Sequence, residues 1–212
     1  MMKGVLFDLD GVVVDSESIY TQFWSDIDRL YPTGVENFAI AIKGNTLQRI
    51  LADYFPSDDV QQDILNRIKE FEINMRYIPF AEAIRFIDEL KQNQIRIAIV
   101  TSSSQKKMDN LYAQNPGFRE MFDAVVTGDM VSHSKPHPEP YLLGAKAIGI
   151  APESCYVFED SISGIESGIR AGATVIGLAT TLPYDKIKGK AHLTINDFSD
   201  FHVRDMLNVE RQ

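Results

Sequence analysis

The chain has 212 residues, 44% of them hydrophobic and 24% charged, the make-up of an ordinary globular protein with one large domain or a domain carrying an insertion. A formal charge of -9 leaves no basic surface for nucleic acid or an anionic membrane, and no apolar run approaches the ~20 residues of a membrane span. One cysteine, Cys155, excludes an internal disulfide framework, and acidic residues arrive too early for a secretory leader, so the expected setting is the cytoplasm.

In chain order, residues 5–9 form the first short apolar run and read as a buried strand. Residues 16–30, 46–55 and 59–76 then read as helices, with turn signals at Pro32-Thr33-Gly34 and Pro56-Ser57-Asp58. Trp24 is expected in the core of this helical stretch. From residue 81 the rhythm changes. Helical patterns at 81–92, 106–114, 138–148 and 162–171 alternate with apolar runs at 95–100, 124–127, 155–158, 173–178 and 193–195. Short strands separated by about a dozen helical residues mark βαβ units, so the fold class is α/β, a doubly wound parallel sheet covered by helices on both faces. The core is read as residues 1–15 and 79–212, with a helical insertion over 16–78. Cys155 falls in a buried strand, and residues 208–212 are expected to fray.

Ligands of open parallel sheets bind beyond the carboxyl ends of the strands. Here those ends carry Asp8-Leu9-Asp10-Gly11, Thr101-Ser102-Ser103-Ser104, Ser134-Lys135-Pro136 and Glu159-Asp160-Ser161. Asp8 and Asp10, two apart at a strand end, repel each other and call for a cation, and four oxygen-donor acids with Glu159 and Asp160 suit Mg²⁺. With a cation present, one carboxylate is free to attack phosphorus while another protonates the leaving oxygen and later activates water. Lys135 supplies charge to the phosphoryl group, and Thr101 with the following N–H groups forms an anion cradle. Ser103 is expected to reach a substrate phosphate or hydroxyl, with helix capping as the competing role for the serines. His133 and His137 flank Lys135, but Pro136 and Pro138 deny them a shared helical face, so they read as exposed loop residues.

Phe7-Asp8-Leu9-Asp10-Gly11-Val12, Thr101, Lys135-Pro136 and Glu159-Asp160-Ser161-Ile162-Ser163-Gly164-Ile165 resemble, in order and spacing, the four motifs of the haloacid dehalogenase superfamily. Gly168-Ile169-Arg170-Ala171-Gly172 is also similar to that family, and the helical insertion resembles its α-helical cap subclass of β-phosphoglucomutase and sugar-phosphate phosphatases. The resemblance implies a Rossmann-like core with an inserted cap. It implies Asp8 as nucleophile, Asp10 as general acid and base, and Thr101 and Lys135 as phosphoryl binders. It further implies Mg²⁺ held by Asp8, Asp10 (through its carbonyl), Glu159 and Asp160, with Ser161 ordering the metal loop. Cap residues facing a substrate would be Ser16, Tyr20, Lys43, Asn45 and Thr46, joined from the core by Ser102 and Ser103. Mutases of the family carry a histidine where Tyr20 stands and an arginine just beyond the Lys43-Gly44 pair. Their absence here favours hydrolysis of a small phosphorylated metabolite, a sugar phosphate above all, by a monomeric enzyme without nucleic-acid or membrane partners. A β-phosphoglucomutase-like isomerase is the alternative. A phospho-receiver domain is a remote one, opposed by the insertion and by the Glu159-Asp160 pair.

Overall fold

A computed structural model describes residues 2–42 and 47–210. The chain divides into two compact units, Met1–Asp15 with Tyr77–Gln212 and Ser16–Arg76. In chain order the elements are β1 (Gly4–Phe7), β2 (Val14–Asp15), α1 (Glu17–Leu30), α2 (Phe38–Ala41), α3 (Leu47–Tyr54) and α4 (Asp58–Asn74). They continue with β3 (Ile78–Pro79), α5 (Ala81–Gln92), β4 (Arg96–Val100), α6 (Gln105–Gln114), β5 (Ala124–Val126) and α7 (Glu139–Ala147). The last are β6 (Cys155–Glu159), α8 (Ile162–Arg170), β7 (Thr174–Leu178), α9 (Tyr184–Ile187), β8 (Leu193–Ile195) and α10 (Val203–Leu207).

Six strands form one parallel sheet in the order β5-β4-β1-β6-β7-β8. The chain leaves β1 toward β4 and β5, then crosses back to β6 on the other side. The order therefore reverses at β1, and its carboxyl end is the place where the flanking loops diverge and leave a crevice. Alternation along each strand feeds two cores. On one side Leu6, Val100 and Val157 pack with Tyr141 and Ala145 of α7 and Ile165 of α8. On the other, Phe7 stacks on Phe158 at 5.1 Å between ring centroids, and Phe86 of α5 stacks on Phe198 at 5.1 Å. The first strand ends at Phe7 rather than at residue 9, because Gly11 takes a positive φ of 74° and turns the chain. Asp8 stays anchored, its N–H donating to the Phe158 carbonyl at 3.0 Å.

The second segment of this unit starts at Tyr77, two residues before the boundary read from the sequence. Tyr77 is tied there by its N–H to Gln114 Oε1 and by Asn115 Nδ2 to its carbonyl, at 3.2 and 3.0 Å. Next to it β2 and β3 pair antiparallel, Val14 opposite Pro79 and Asp15 opposite Ile78.

The helical unit has its own core of Phe23, Trp24, Ile27, Phe38, Ile50, Phe55 and Ile64. Trp24 is buried there, edge-on to Phe23 at 5.3 Å. Tyr31 at the end of α1 donates to Asp63 of α4 at 2.8 Å. Among the described residues no helix is long and apolar enough to cross a membrane.

Candidate active site

Asp8, one residue past β1, and Lys135, in the loop before α7, meet at the carboxyl end of the sheet. Lys135 Nζ donates to Asp8 Oδ1 at 2.5 Å, to Glu159 Oε1 at 2.7 Å and to the Val100 carbonyl at 3.0 Å. Three different strand ends thus converge on one ammonium group, whose side chain is 5% exposed. Burial alone would push that ammonium down, but the Asp8 and Glu159 carboxylates more than offset it and hold Lys135 above the usual lysine range. Asp8 is also shifted upward, toward its neutral form. Burial first, then the charges of Glu159 and Asp10, outweigh Lys135 and push its carboxyl up to about 7.

Glu159, the last residue of β6, is fully buried and accepts from every side. Its Oε1 takes Lys135 and the Tyr141 hydroxyl at 2.8 Å. Its Oε2 takes the N–H groups of Asp160 and Ser161, both at 3.1 Å, and the Ser161 hydroxyl at 3.0 Å. Ser161 in turn caps α8 by accepting from the Gly164 N–H at 3.1 Å. Asp160, also buried, accepts from the Thr181 hydroxyl in the loop after β7. Ligand atoms of Asp8, Glu159 and Asp160 lie within 4.8 Å of one another.

Asp10 is held apart from that trio. Lys107 of α6 donates to its two oxygens at 2.8 and 3.0 Å, and Ser103 Oγ donates to Oδ2 at 2.8 Å. Ser103, expected on a substrate group, is therefore on the second aspartate, because that carboxylate comes within its reach. Thr101 is buried and its Oγ1 accepts from the Ser103 N–H at 3.0 Å, shaping the loop that Ser104 closes by capping α6 at Lys107 N. Ser102 is exposed at the surface of that loop.

The donor set fits a divalent cation. Four carboxylates face two ammonium groups here, an excess of two negative charges when all are ionised, and an all-oxygen trio is the chemistry that Mg²⁺ prefers. Gly11 leaves the room this needs, since a Cβ there would stand 2.0 Å from Asp160 Oδ2.

The insertion residues fare differently. Ser16 precedes α1, its hydroxyl buried with no hydrogen-bond partner among the described residues. Tyr20 donates to Glu72 at 2.7 Å and packs its ring on Phe71, so within the helical unit its hydroxyl serves packing between α1 and α4. Lys43, Asn45 and Thr46 lie outside the described residues. His133 and His137 are exposed, as read from the sequence, His133 Nδ1 lying 2.9 Å from Glu139. Lys107, Tyr141 and Thr181 were not singled out by sequence reasoning. For Lys107 a signal existed: it shares a helical face with Met108 and Leu111, where a charge requires a partner.

This geometry is that of a known family. Residues 2–172 match the haloacid dehalogenase-like hydrolases, and the chain belongs to them. It is 31% identical over 178 residues to a fructose-1-phosphate phosphatase of Escherichia coli, covering 82% of this chain and 94% of that one. Hexitol phosphatase A of Escherichia coli is 33% identical over 188 residues, covering 83% and 82%. Among solved structures, β-phosphoglucomutase from Clostridium difficile shares the fold with a TM-score of 0.77 at 21% identity, over 98% of this chain and 96% of that one.

Proposed function

We propose that the chain hydrolyses the phosphate monoester of a small metabolite, a sugar phosphate in the first instance, by way of a phosphoryl group carried on Asp8. The observation that carries this reading is the Asp8 carboxylate gripped by Lys135 at the edge of an acidic trio, with a second aspartate two residues on in a separate grip. The family, and two relatives named as a fructose-1-phosphate phosphatase and a hexitol phosphatase, support it.

Asp8 and Asp160, with Glu159 behind them, would hold Mg²⁺, which would supply positive charge to draw in phosphoryl oxygens and keep Asp8 ionised. The remaining chemistry belongs to side chains. An Asp8 oxygen attacks phosphorus, and the bond from phosphorus to the leaving oxygen breaks. Asp10 passes a proton to that oxygen, so the product departs as an alcohol. Lys135 and the Thr101 loop hold the phosphoryl oxygens meanwhile. Asp10 then takes a proton from water, the water oxygen attacks phosphorus, and the bond to Asp8 breaks. Inorganic phosphate leaves, and both aspartates return to their starting states. Glu159 acts mainly by fixing Lys135 and the Asp160 loop. Choice among sugars is assigned to the helical unit, whose Ser16, Lys43, Asn45 and Thr46 carry the polar groups for it.

A ³¹P-NMR time course with Mg²⁺ and pooled sugar phosphates tests the reading. Inorganic phosphate should grow as one ester peak shrinks, and Asp8→Asn should lower the rate by at least ~10⁴-fold, as expected for loss of a nucleophile. Conversion of one sugar phosphate into an isomer without free phosphate would identify a mutase instead, and turnover retained by Asp8→Asn would overturn the assignment of the nucleophile.

A further inference from the structure

Lys107 is a buried lysine on a helix face otherwise given to Met108 and Leu111, with 8% of its side chain exposed. Burying an ammonium and freezing four side-chain torsions is unfavourable unless the charge finds a partner. The partner is Asp10, which Lys107 straddles through both oxygens at 2.8 and 3.0 Å. Ser103 adds a third donor at 2.8 Å to Oδ2. Neither donor is on a loose support. Ser103 is pinned by its N–H to Thr101 Oγ1 and by its carbonyl, which accepts from the Gly128 N–H at 2.9 Å. Lys107 sits in the first turn of α6, which Ser104 caps and Asp129 ties down by accepting from the Gln105 N–H. The carboxylate of Asp10 cannot rotate about its last torsion without losing donors from both groups.

We infer that Lys107, together with Ser103, is a positioning residue that fixes the plane of the Asp10 carboxylate for proton transfer to the leaving oxygen and from the attacking water. The inference rests on the reading of Asp10 as the acid and base given above. Lys107 does not touch the substrate in this assignment; it acts through Asp10. Proton transfer is steeply sensitive to placement, so a carboxylate released from its clamp should be a poorer acid catalyst even where the fold is intact.

The test exploits the leaving group. An alkyl phosphate expels an alkoxide that must be protonated, whereas p-nitrophenyl phosphate expels a phenolate stable without a proton. For both esters kcat/KM reports steps up to departure of the leaving group. Lys107→Met should lower kcat/KM for the sugar or another alkyl phosphate by ~10- to 100-fold, the scale of a misplaced catalytic group, with p-nitrophenyl phosphate within about threefold of wild type. Lys107→Arg should restore most of the loss. Equal losses on both esters would show a merely structural lysine, and no loss on either would show that Asp10 holds its position unaided; both outcomes overturn the inference. Asp10→Asn run beside it separates the two levels. If Asp10→Asn shows the leaving-group selectivity and Lys107→Met does not, the positioning role alone is wrong. If Asp10→Asn shows none, the acid role fails and takes this inference with it. Should Lys107→Met not fold, Ser103→Ala makes the same discrimination with a smaller selective loss, and a non-selective loss there overturns it equally.

Discussion

Asp8 carries a tension that no neighbouring side chain removes. It is ion-paired to Lys135, yet burial and the negative charges of Glu159 and Asp10 push its carboxyl up to about 7. Unfolded, the same residue would titrate near 3.8. Between these values the folded state retains a proton that the unfolded chain has lost, so the contribution of Asp8 to stability is full below about 4 and falls as pH rises to about 7. In a chelator, the stability of the wild-type protein relative to Asp8→Asn should therefore decline across that window. Added Mg²⁺ should restore it at pH 8, because cation binding favours the carboxylate. Thermal or denaturant unfolding of both proteins at several pH values checks this; a flat or rising difference without metal would contradict it. Much of this site was legible in the residues themselves: the acids, Lys135 and Thr101 lie at strand ends because a parallel sheet delivers its loops there. Hidden were Tyr141, Thr181 and the carboxylate that Lys107 meets, since these pairs lie 18, 21 and 97 positions apart in the chain. Such pairings depend on tertiary packing, which no local pattern encodes.

At the scale of elements, α8 shows how a helix can be subordinated to the site it supports. Gly164 lies in its first turn, where alanine would favour an isolated helix by about 1 kcal/mol. Its missing side chain is filled by the Glu159 carboxylate, since a Cβ there would stand 1.7 Å from Oε1. That carboxylate cannot retreat without releasing Lys135, Tyr141 and the Asp160 loop. Gly164→Ala should thus destabilise the protein by at least ~2 kcal/mol, in the range of overpacked sites, and weaken Mg²⁺ binding, despite its better helix propensity. Gly117 is the control: it has a φ of 87° and nothing within 4 Å, so alanine there should cost only backbone strain of about 1 kcal/mol and leave Mg²⁺ binding unchanged. Denaturant titrations and calorimetric Mg²⁺ titrations compare the two; equal effects would contradict the argument. The long helices show as hydrophobic periods because each buries one face. The strands of the sheet, though only three to five residues long, show as continuous apolar runs because both their faces are covered. The short pieces β2, β3, α2, α9 and α10 span five residues or fewer and have too few positions to display a period.

At the scale of the molecule, the chain crosses into the helical unit and returns at neighbouring points of the core unit. Asp15 pairs with Ile78 across the β2–β3 ladder, so the two cut ends of the core are held together by the core itself. Each unit also buries its own apolar cluster, one built on the sheet and the other on Phe23, Trp24, Phe38 and Phe55. A unit with closed ends and its own core satisfies what independent folding requires. Removing residues 16–76 and joining Asp15 to Tyr77 through Gly-Ser-Gly would leave a four-residue hairpin loop, with Tyr77 kept for its bonds to Gln114 and Asn115. The shortened protein should fold with one cooperative unfolding transition and the ellipticity of an α/β domain. Its Asp8, Lys135, Glu159 and Asp160 cluster should still bind Mg²⁺, since the hydrogen bonds described above for these side chains come from residues of the core unit. Circular dichroism, calorimetric Mg²⁺ titration and an Asp8→Asn version of the same protein check this. A collapsed product without a cooperative transition would show that the sheet depends on the insertion for its stability. A folded product indifferent to Mg²⁺ would show that the acidic cluster needs more than its own unit to take a cation.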